Sequence, residues 1–168
     1  MTNNSKLAHA IATFGGLGDR LPAPGTTVGS LPPALLWWAI CAALPVTSIR
    51  IVITAIGLFV TAAVGTWAAE IEAQRRGVED PRPIVVDEAA GQWLTYLVAL
   101  PFVALTNHLE LAIFATAGFF LFRFFDVVKP WPIRLFEKFP GGIGIVADDL
   151  AAGYFAAFSL LIGWKIFG

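Results

Sequence analysis

The chain has 168 residues, of which 57% are hydrophobic and only 14% are charged, and its mean hydropathy is +0.74. This balance excludes a disordered chain, and it argues against a soluble globule because so short a chain has too little interior to hide this much apolar surface. The net charge of −1 leaves no basic field to hold nucleic acid, and the single cysteine, Cys41, excludes an internal disulfide or a structural zinc site. The composition predicts one all-α membrane domain over residues 1–168.

The chain begins with a short leader and continues through five apolar runs. Residues 1–14 contain no apolar core of the kind a cleavable signal peptide needs, and residues 1–12 are predicted to be loosely ordered. A spanning helix needs about 20 apolar residues, with a range of about 17–25, so only the second and third runs are comfortably long. We expect a helical bundle with four or five short spans. If there are four, one of the short runs is re-entrant or interfacial. The runs are Leu31–Val46, Ile51–Ala69, Ala89–Thr106, Leu111–Phe122 and Leu150–Trp164.

The positions of the charges predict the orientation. With five spans, nine Lys and Arg residues fall on the side of the N-terminus and two, Arg50 and Lys165, fall on the other side. Cytoplasmic loops carry the excess of basic residues, so the N-terminus and the loops 70–88 and 123–149 are predicted to be cytoplasmic. Eleven of the twelve carboxylates share that side, and Glu110 alone is opposite. The orientation rule does not require clustered acids, so the clustering needs another reason.

A Gly- and Pro-rich segment, Thr13–Leu31, precedes the first apolar run. Gly and Pro at this density disfavour a helix and allow close approach of the backbone to a ligand. Thr26, Thr27 and Ser30 then stand near a helix start, where free N–H groups favour an anion such as phosphate. The alternative is a flexible leader that ends in a helix cap.

Two acidic pairs open predicted spans. Asp87 and Glu88 immediately precede the third run, and Asp148 and Asp149 immediately precede the fifth. The alternative for each pair is helix capping, which contributes about 0.3–1 kcal/mol. The repetition on one side, together with Asp126, favours a shared divalent cation that relieves the repulsion between like charges, and carboxylate-only ligation suits Mg²⁺.

The segment Phe122–Lys138 combines acids and bases beside an apolar run. Arg123, Asp126 and Lys129 are spaced three residues apart and share one helix face. Ionisable residues so close to a membrane span are costly unless they are paired or functional. An intrahelical ion pair followed by an interfacial stop is the alternative. If the face is functional, Arg123, Lys129 and Arg134 would clamp an anion such as a lipid phosphate.

Neither histidine is predicted to join this site. His9 lies in the leader, His108 lies on the far side, and neither has a partner at metal-site spacing, so both are predicted to be solvated.

The segments PGTTVGSL, IVVDEAAGQW, FRFFDVVKPWPIRLFEK and GGIGIVADDLAAG, in this order, resemble the hallmarks of the bacterial phosphatidylglycerophosphatase A family. The resemblance runs from about Ala12 to the C-terminus. PGTTVGSL has one residue more than the usual spacing, so either Thr26 or Thr27 takes the place of the family threonine.

The resemblance implies Mg²⁺-dependent hydrolysis of phosphatidylglycerophosphate to phosphatidylglycerol and phosphate. It implies a multi-pass protein of the bacterial inner membrane whose site faces the cytoplasm and whose partner is a phospholipid. The implied catalytic residues are Asp87, Glu88, Asp126, Asp148 and Asp149. The expected metal ligands are Glu88, Asp126 and Asp149, followed by Asp87, Asp148 and Asp80. The expected phosphate-binding residues are Thr26 or Thr27, Arg123, Lys129 and Arg134.

Other chemistries remain as alternatives at this point. Cys41 lies in an apolar run without the arginine loop of a cysteine phosphatase, so direct attack by water is favoured over a covalent intermediate. A head-group transferase would also place aspartates on Mg²⁺, but its DG-x-x-AR signature is absent. A non-catalytic ion-handling subunit should carry acids near the middle of its spans, whereas here they lie at span ends.

Overall fold

The computed structural model describes residues 3–167, in which no strand occurs, so the expected all-α fold is confirmed. A π-helical turn, Gly25–Ser30, leads directly into the second helix, and short 3₁₀ turns, Leu100–Phe102 and Ile133–Lys138, follow the fourth and fifth. The α-helices of the described residues are α1 Asn3–Ala12, α2 Leu31–Ala43, α3 Thr47–Arg76, α4 Val86–Ala99, α5 His108–Val128 and α6 Gly141–Phe167.

Four helical stretches of the described chain are long and apolar enough to cross a membrane. Flanking residues lengthen the apolar runs that looked short in the sequence, because the π-helical turn extends α2 to 19 residues and α6 reaches 27 residues. By length and composition alone these four make the lower of the two expected span numbers, and α4 adds a fifth, shorter crossing inside the bundle. The stretches are Gly25–Ala43, Thr47–Arg76, His108–Val128 and Gly141–Phe167.

The third apolar run, which looked long enough to span, forms only the 14-residue α4 and a three-residue 3₁₀ turn. This helix lies inside the bundle and contacts α2, α3, α5 and α6. At its far end, Arg50 donates from Nε to the Leu44 carbonyl at 2.6 Å and from Nη1 to the Leu105 carbonyl at 3.2 Å. Leu105 follows α4 in the chain, and it lies with Arg50 at the end of the bundle opposite the start of α4. The helix α4 therefore runs through the bundle, where α2, α3, α5 and α6 surround it.

The leader differs from its expected loose order, since residues 3–12 form α1 and pack on α3. His9 is half-buried rather than solvated, and its Nδ1 lies 3.0 Å from Oε1 of Glu72, a carboxylate with no exposed surface. Arg76 binds Glu72 at 2.6 Å and Asp19 at 2.7 Å. These ion pairs hold α1 and the Gly-rich segment after it against α3. His108 is exposed at the start of α5, as predicted.

A close helix contact places α4 against α6 through two glycines. A Cβ at Gly153 would overlap the Gly91 carbonyl oxygen, and a Cβ at Gly91 would lie 2.6 Å from the Asp149 carbonyl oxygen. Small residues allow helices to approach this closely. Gly91 follows Asp87 by four residues and Gly153 follows Asp149 by four, so the contact lies one turn below the two acids and sets their separation.

We expect Gly153→Ala to destabilise the protein, because its methyl group must push α4 away from α6. Overpacking of this kind costs about 1–3 kcal/mol. Gly163→Ala is the matched control on the same helix, since a Cβ there meets no atom of the described chain within 4 Å. Thermal unfolding in detergent should show a lower midpoint for Gly153→Ala only. Equal midpoints in both variants would contradict the tight crossing.

Candidate active site

All four sequence segments meet at one end of the bundle. A cavity of about 330 Å³ lies there between the start of α2, the start of α4, the end of α5 and the first turns of α6. The loop before α4 closes one side. The lining residues are Ala23, Pro24, Gly25, Thr26, Asp80, Arg82, Ile84, Asp87, Glu88, Arg123, Asp126, Lys129, Asp148 and Asp149.

The cavity wall has more carboxylates than cations, six against three. Two of the carboxylates are neutralised by ion pairs. Arg123 Nη1 lies 2.5 Å from Asp126 Oδ2, and Lys129 Nζ binds Asp148 Oδ2. The first pair joins two residues that the spacing had placed on one helix face, and the second, which the sequence did not predict, joins the end of α5 to α6.

Three carboxylates, Asp87, Glu88 and Asp149, are left beside one another. Each offers an oxygen that lies within 4.8 Å of the others. Two buried oxygens, Asp87 Oδ1 and Glu88 Oε2, have no hydrogen-bond partner within the described residues. Three hard anionic donors with unsatisfied buried oxygens fit a cation such as Mg²⁺. The sequence had ranked Asp126 among the first ligands. In the structure Asp126 pairs with Arg123, and the group of three contains Asp87 instead.

Two glycines of the π-helical turn make room for the Glu88 carboxylate. A Cβ at Gly25 would overlap Glu88 Oε1, and a Cβ at Gly29 would lie 2.8 Å from Glu88 Oε2. The sequence suggested that these glycines approach a ligand. They approach a side chain of the protein instead, and the carboxylate lies across the turn that begins α2.

The structure distinguishes the two threonines of PGTTVGSL. Thr26 lines the cavity, whereas the exposed Thr27 donates its hydroxyl to the carbonyls of Pro22 at 3.1 Å and Ala23 at 3.2 Å. Thr26 is therefore the threonine of this segment that faces the cavity.

Arg123 is held in place by groups from three helical elements. Its Nη1 donates to Ser30 Oγ at 3.3 Å, lies 2.5 Å from Asp126 and is 3.8 Å from Glu88 Oε1. Ser30 in turn donates to the Gly25 carbonyl at 2.9 Å. The guanidinium thus links the glycine turn, α4 and α5 at the cavity wall.

Lys129 follows the last residue of α5 in a left-handed conformation, with φ of 43°. Partial burial opposes its charged form, but the hydrogen bond and negative charge of Asp148 outweigh this and raise the pKa of Lys129. Glu137 lies 3.2 Å from the same ammonium group. Lys129 is therefore a fixed positive charge at neutral pH, which suits an anionic ligand.

Two cationic positions differ from the sequence interpretation. Arg134, predicted to bind phosphate, is exposed, lies outside the cavity lining and donates to the Val128 carbonyl at 3.4 Å. Arg82, which sequence reasoning had not assigned to the site, lines the cavity from the loop before α4. Its position in a Pro-Arg-Pro stretch just before the acidic pair was the available signal.

A neighbouring cleft of about 740 Å³ shares Asp80 and Asp148 with the site. Its other charged residues are Glu70, Glu79, Glu137 and Lys138, so acids dominate its wall. Arg123 and Lys129 face the smaller cavity, which makes the smaller cavity the better place for a phosphate group.

Comparisons with known proteins identify the family of the chain. The model of the family described as "Phosphatidylglycerophosphatase A" matches residues 10–164. The chain belongs to the phosphatidylglycerophosphatase A family. The sequence prediction of this family is confirmed, and membership makes the chain an enzyme, a phosphoric monoester hydrolase.

Three curated relatives cover most of the chain. Proteins named phosphatidylglycerophosphatase A are 37% identical in Escherichia coli, over 89% of this chain and 78% of theirs, and 38% identical in Haemophilus influenzae, over 88% and 83%. A Bacteroides thetaiotaomicron protein, provisionally named a phosphatidylinositol-3-phosphatase, is 34% identical over the whole of both chains. No solved structure is significantly similar to the chain.

We expect Thr26→Val to lower phosphate release from the lipid substrate by roughly 10–100-fold, the effect of losing one hydrogen bond of about 1.5–3 kcal/mol to a charged group. Thr27→Val should leave turnover within about twofold, because its hydroxyl binds backbone carbonyls outside the cavity. Steady-state rates of the two purified variants make the comparison. Equal losses in both would show that the two hydroxyls are not separated as described.

Proposed function

We propose that the protein hydrolyses phosphatidylglycerophosphate to phosphatidylglycerol and phosphate with the help of Mg²⁺ at the cytoplasmic face of the bacterial inner membrane. The observation that carries this proposal is the group Asp87, Glu88 and Asp149 beside two fixed cations, Arg123 and Lys129. The family and the relatives' names support the lipid phosphomonoester substrate.

The metal would be held by one oxygen each from Asp87, Glu88 and Asp149. A bound Mg²⁺ supplies Lewis-acid polarisation of phosphate oxygens. The protein's own groups orient the phosphate: Arg123 and Lys129 offer charge-assisted hydrogen bonds, and Thr26 offers a hydroxyl at the start of α2. Attack by water on phosphorus breaks the bond between phosphorus and the glycerol oxygen. This oxygen takes up a proton, and the lipid leaves as phosphatidylglycerol.

The position of the site at one end of the bundle suits a lipid head group. The acyl chains can stay beside the apolar helices while the phosphate enters the cavity at their end. Nine Lys and Arg residues lie toward this end, whereas only two, Arg50 and Lys165, lie toward the other. This excess of basic residues favours a cytoplasmic site.

A second candidate substrate follows from the Bacteroides relative, whose name specifies a phosphoinositide. Phosphatidylinositol 3-phosphate also presents a phosphomonoester on a lipid head group, and the three carboxylates and two cations would serve it equally. Parallel assays with both lipids decide the substrate. A clear excess of kcat/KM for the phosphoinositide would replace the first proposal and leave the chemistry unchanged.

The central test combines metal removal with single amide substitutions. Purified protein should release phosphate from phosphatidylglycerophosphate with Mg²⁺ and lose this activity in EDTA. Glu88→Gln and Asp149→Asn should each lower kcat by orders of magnitude, because each removes one anionic ligand.

Glu79→Gln is the matched control, since Glu79 is exposed in the loop before α4 and does not line the site cavity. It should retain turnover within about twofold, as expected for an exposed side chain. Near-normal activity in both ligand variants, or full activity in EDTA, would contradict the metal proposal.

Cysteine labelling tests the proposed orientation. On a Cys41→Ala background, Glu79→Cys and His108→Cys each place a thiol at an exposed position, near opposite ends of the bundle. In intact cells a membrane-impermeant maleimide should label position 108 and not position 79. Labelling of position 79 alone would show the opposite orientation in the membrane. Labelling of both positions would show that α4 does not cross the membrane.

A further inference from the structure

Unsatisfied polar atoms concentrate around the carboxylate group. Among the described residues, the buried side-chain atoms without a hydrogen-bond partner are Asp87 Oδ1, Glu88 Oε2, Arg123 Nε and both polar atoms of the Gln92 amide. The first three residues line the site cavity, where a cation and a phosphate would satisfy them. Gln92 does not line it and has no exposed surface, so its amide needs a different explanation.

Helix geometry places Gln92 next to Glu88. The two residues are four apart in α4 and therefore share one face of the helix. Side chains of a helix generally lean toward its N-terminus, so we expect the Gln92 side chain to lean toward the turn that carries Glu88. Glu88 has an unpartnered oxygen, and Gln92 has an unpartnered donor.

We propose that Gln92 is a positioning residue for Glu88. The Gln92 amide nitrogen makes no direct hydrogen bond to the Glu88 carboxylate, and it holds that carboxylate through one internal water in the orientation that binds the cation. A carboxylate oxygen has two lone pairs, so Oε2 can accept from this water and still face the metal. Ligating carboxylates are commonly oriented by such outer hydrogen bonds. This inference rests on the proposed metal site and adds a residue beyond its ligands.

A purely structural role would not require an amide here. The position is fully enclosed, and an apolar side chain of similar volume would fill it without leaving two polar atoms to satisfy. The positioning role therefore predicts a separation of effects. Replacing the amide by a hydrocarbon should preserve or raise stability without metal and should weaken metal binding.

The test measures thermal unfolding of purified protein in detergent while Mg²⁺ or Mn²⁺ is titrated, so that it does not depend on turnover. Gln92→Leu should keep the metal-free midpoint of unfolding at or above that of the original protein. The cation concentration that gives half of the metal-induced stabilisation should rise by roughly 10–100-fold, the usual effect of losing an outer hydrogen bond to a ligand. An unchanged cation requirement in Gln92→Leu would overturn the inference.

Thr95→Val is the matched control on the same helix. Thr95 is also fully buried, and its hydroxyl donates to the Gly91 carbonyl at 3.0 Å and the Gly153 carbonyl at 3.3 Å. Losing this hydroxyl should lower the metal-free midpoint without changing the cation requirement. An equal loss of metal binding in Thr95→Val would show a general effect of core substitution and overturn the positioning role.

Glu88→Gln separates this inference from the proposed function. If Glu88→Gln abolishes metal-induced stabilisation and Gln92→Leu does not weaken it, the metal site stands and the positioning role fails. If Glu88→Gln has no effect, the metal site itself fails. Should Gln92→Leu not fold, Gln92→Met gives the same comparison, and failure of both to fold would show that the amide supports the fold rather than the ligand.

Discussion

The contact between Gly91 and Gly153 constrains the whole site. It brings α4 and α6 so close that any side chain at either position would meet the opposing backbone. One turn away, the same approach of the helices brings Asp87 and Glu88 close to Asp149. These three carboxylates repel one another when they are ionised. The apolar packing of the bundle therefore holds together charges that would separate if the helices were free to move.

The same use of small residues recurs at the start of α2. Gly25 and Gly29 leave a space that the Glu88 carboxylate fills, and the following Ser30 accepts a hydrogen bond from Arg123. The glycine turn thus fixes one candidate ligand and one candidate phosphate-binding cation. The two glycines let the backbone come close to the Glu88 carboxylate, and the Ser30 hydroxyl holds Arg123 beside it.

The sequence predicted the all-α membrane fold and the meeting of the four segments, because charge clustering and motif order are visible along the chain. It could not assign partners within the cluster. Asp126 and Asp87 look equivalent as isolated acids. The spacing put Asp126 on the helix face of Arg123, but only the fold shows that these two pair while Asp87 lies with Glu88 and Asp149. The sequence also could not show that the 3₁₀ turn after Pro132 leaves Arg134 exposed and outside the cavity lining.

The two ion pairs also bear on how a phosphate could enter. Carboxylates outnumber cations six to three around the cavity, so a phosphate group would add negative charge to a wall that already has an excess of it. Asp126 and Asp148 keep Arg123 and Lys129 in place before any ligand arrives, which reduces the ordering cost when a phosphate binds. They also offset the attraction of those cations for phosphate. Under the proposed function, a divalent cation on Asp87, Glu88 and Asp149 is therefore needed before or together with the lipid phosphate, because it reduces the negative charge that the arriving head group must meet.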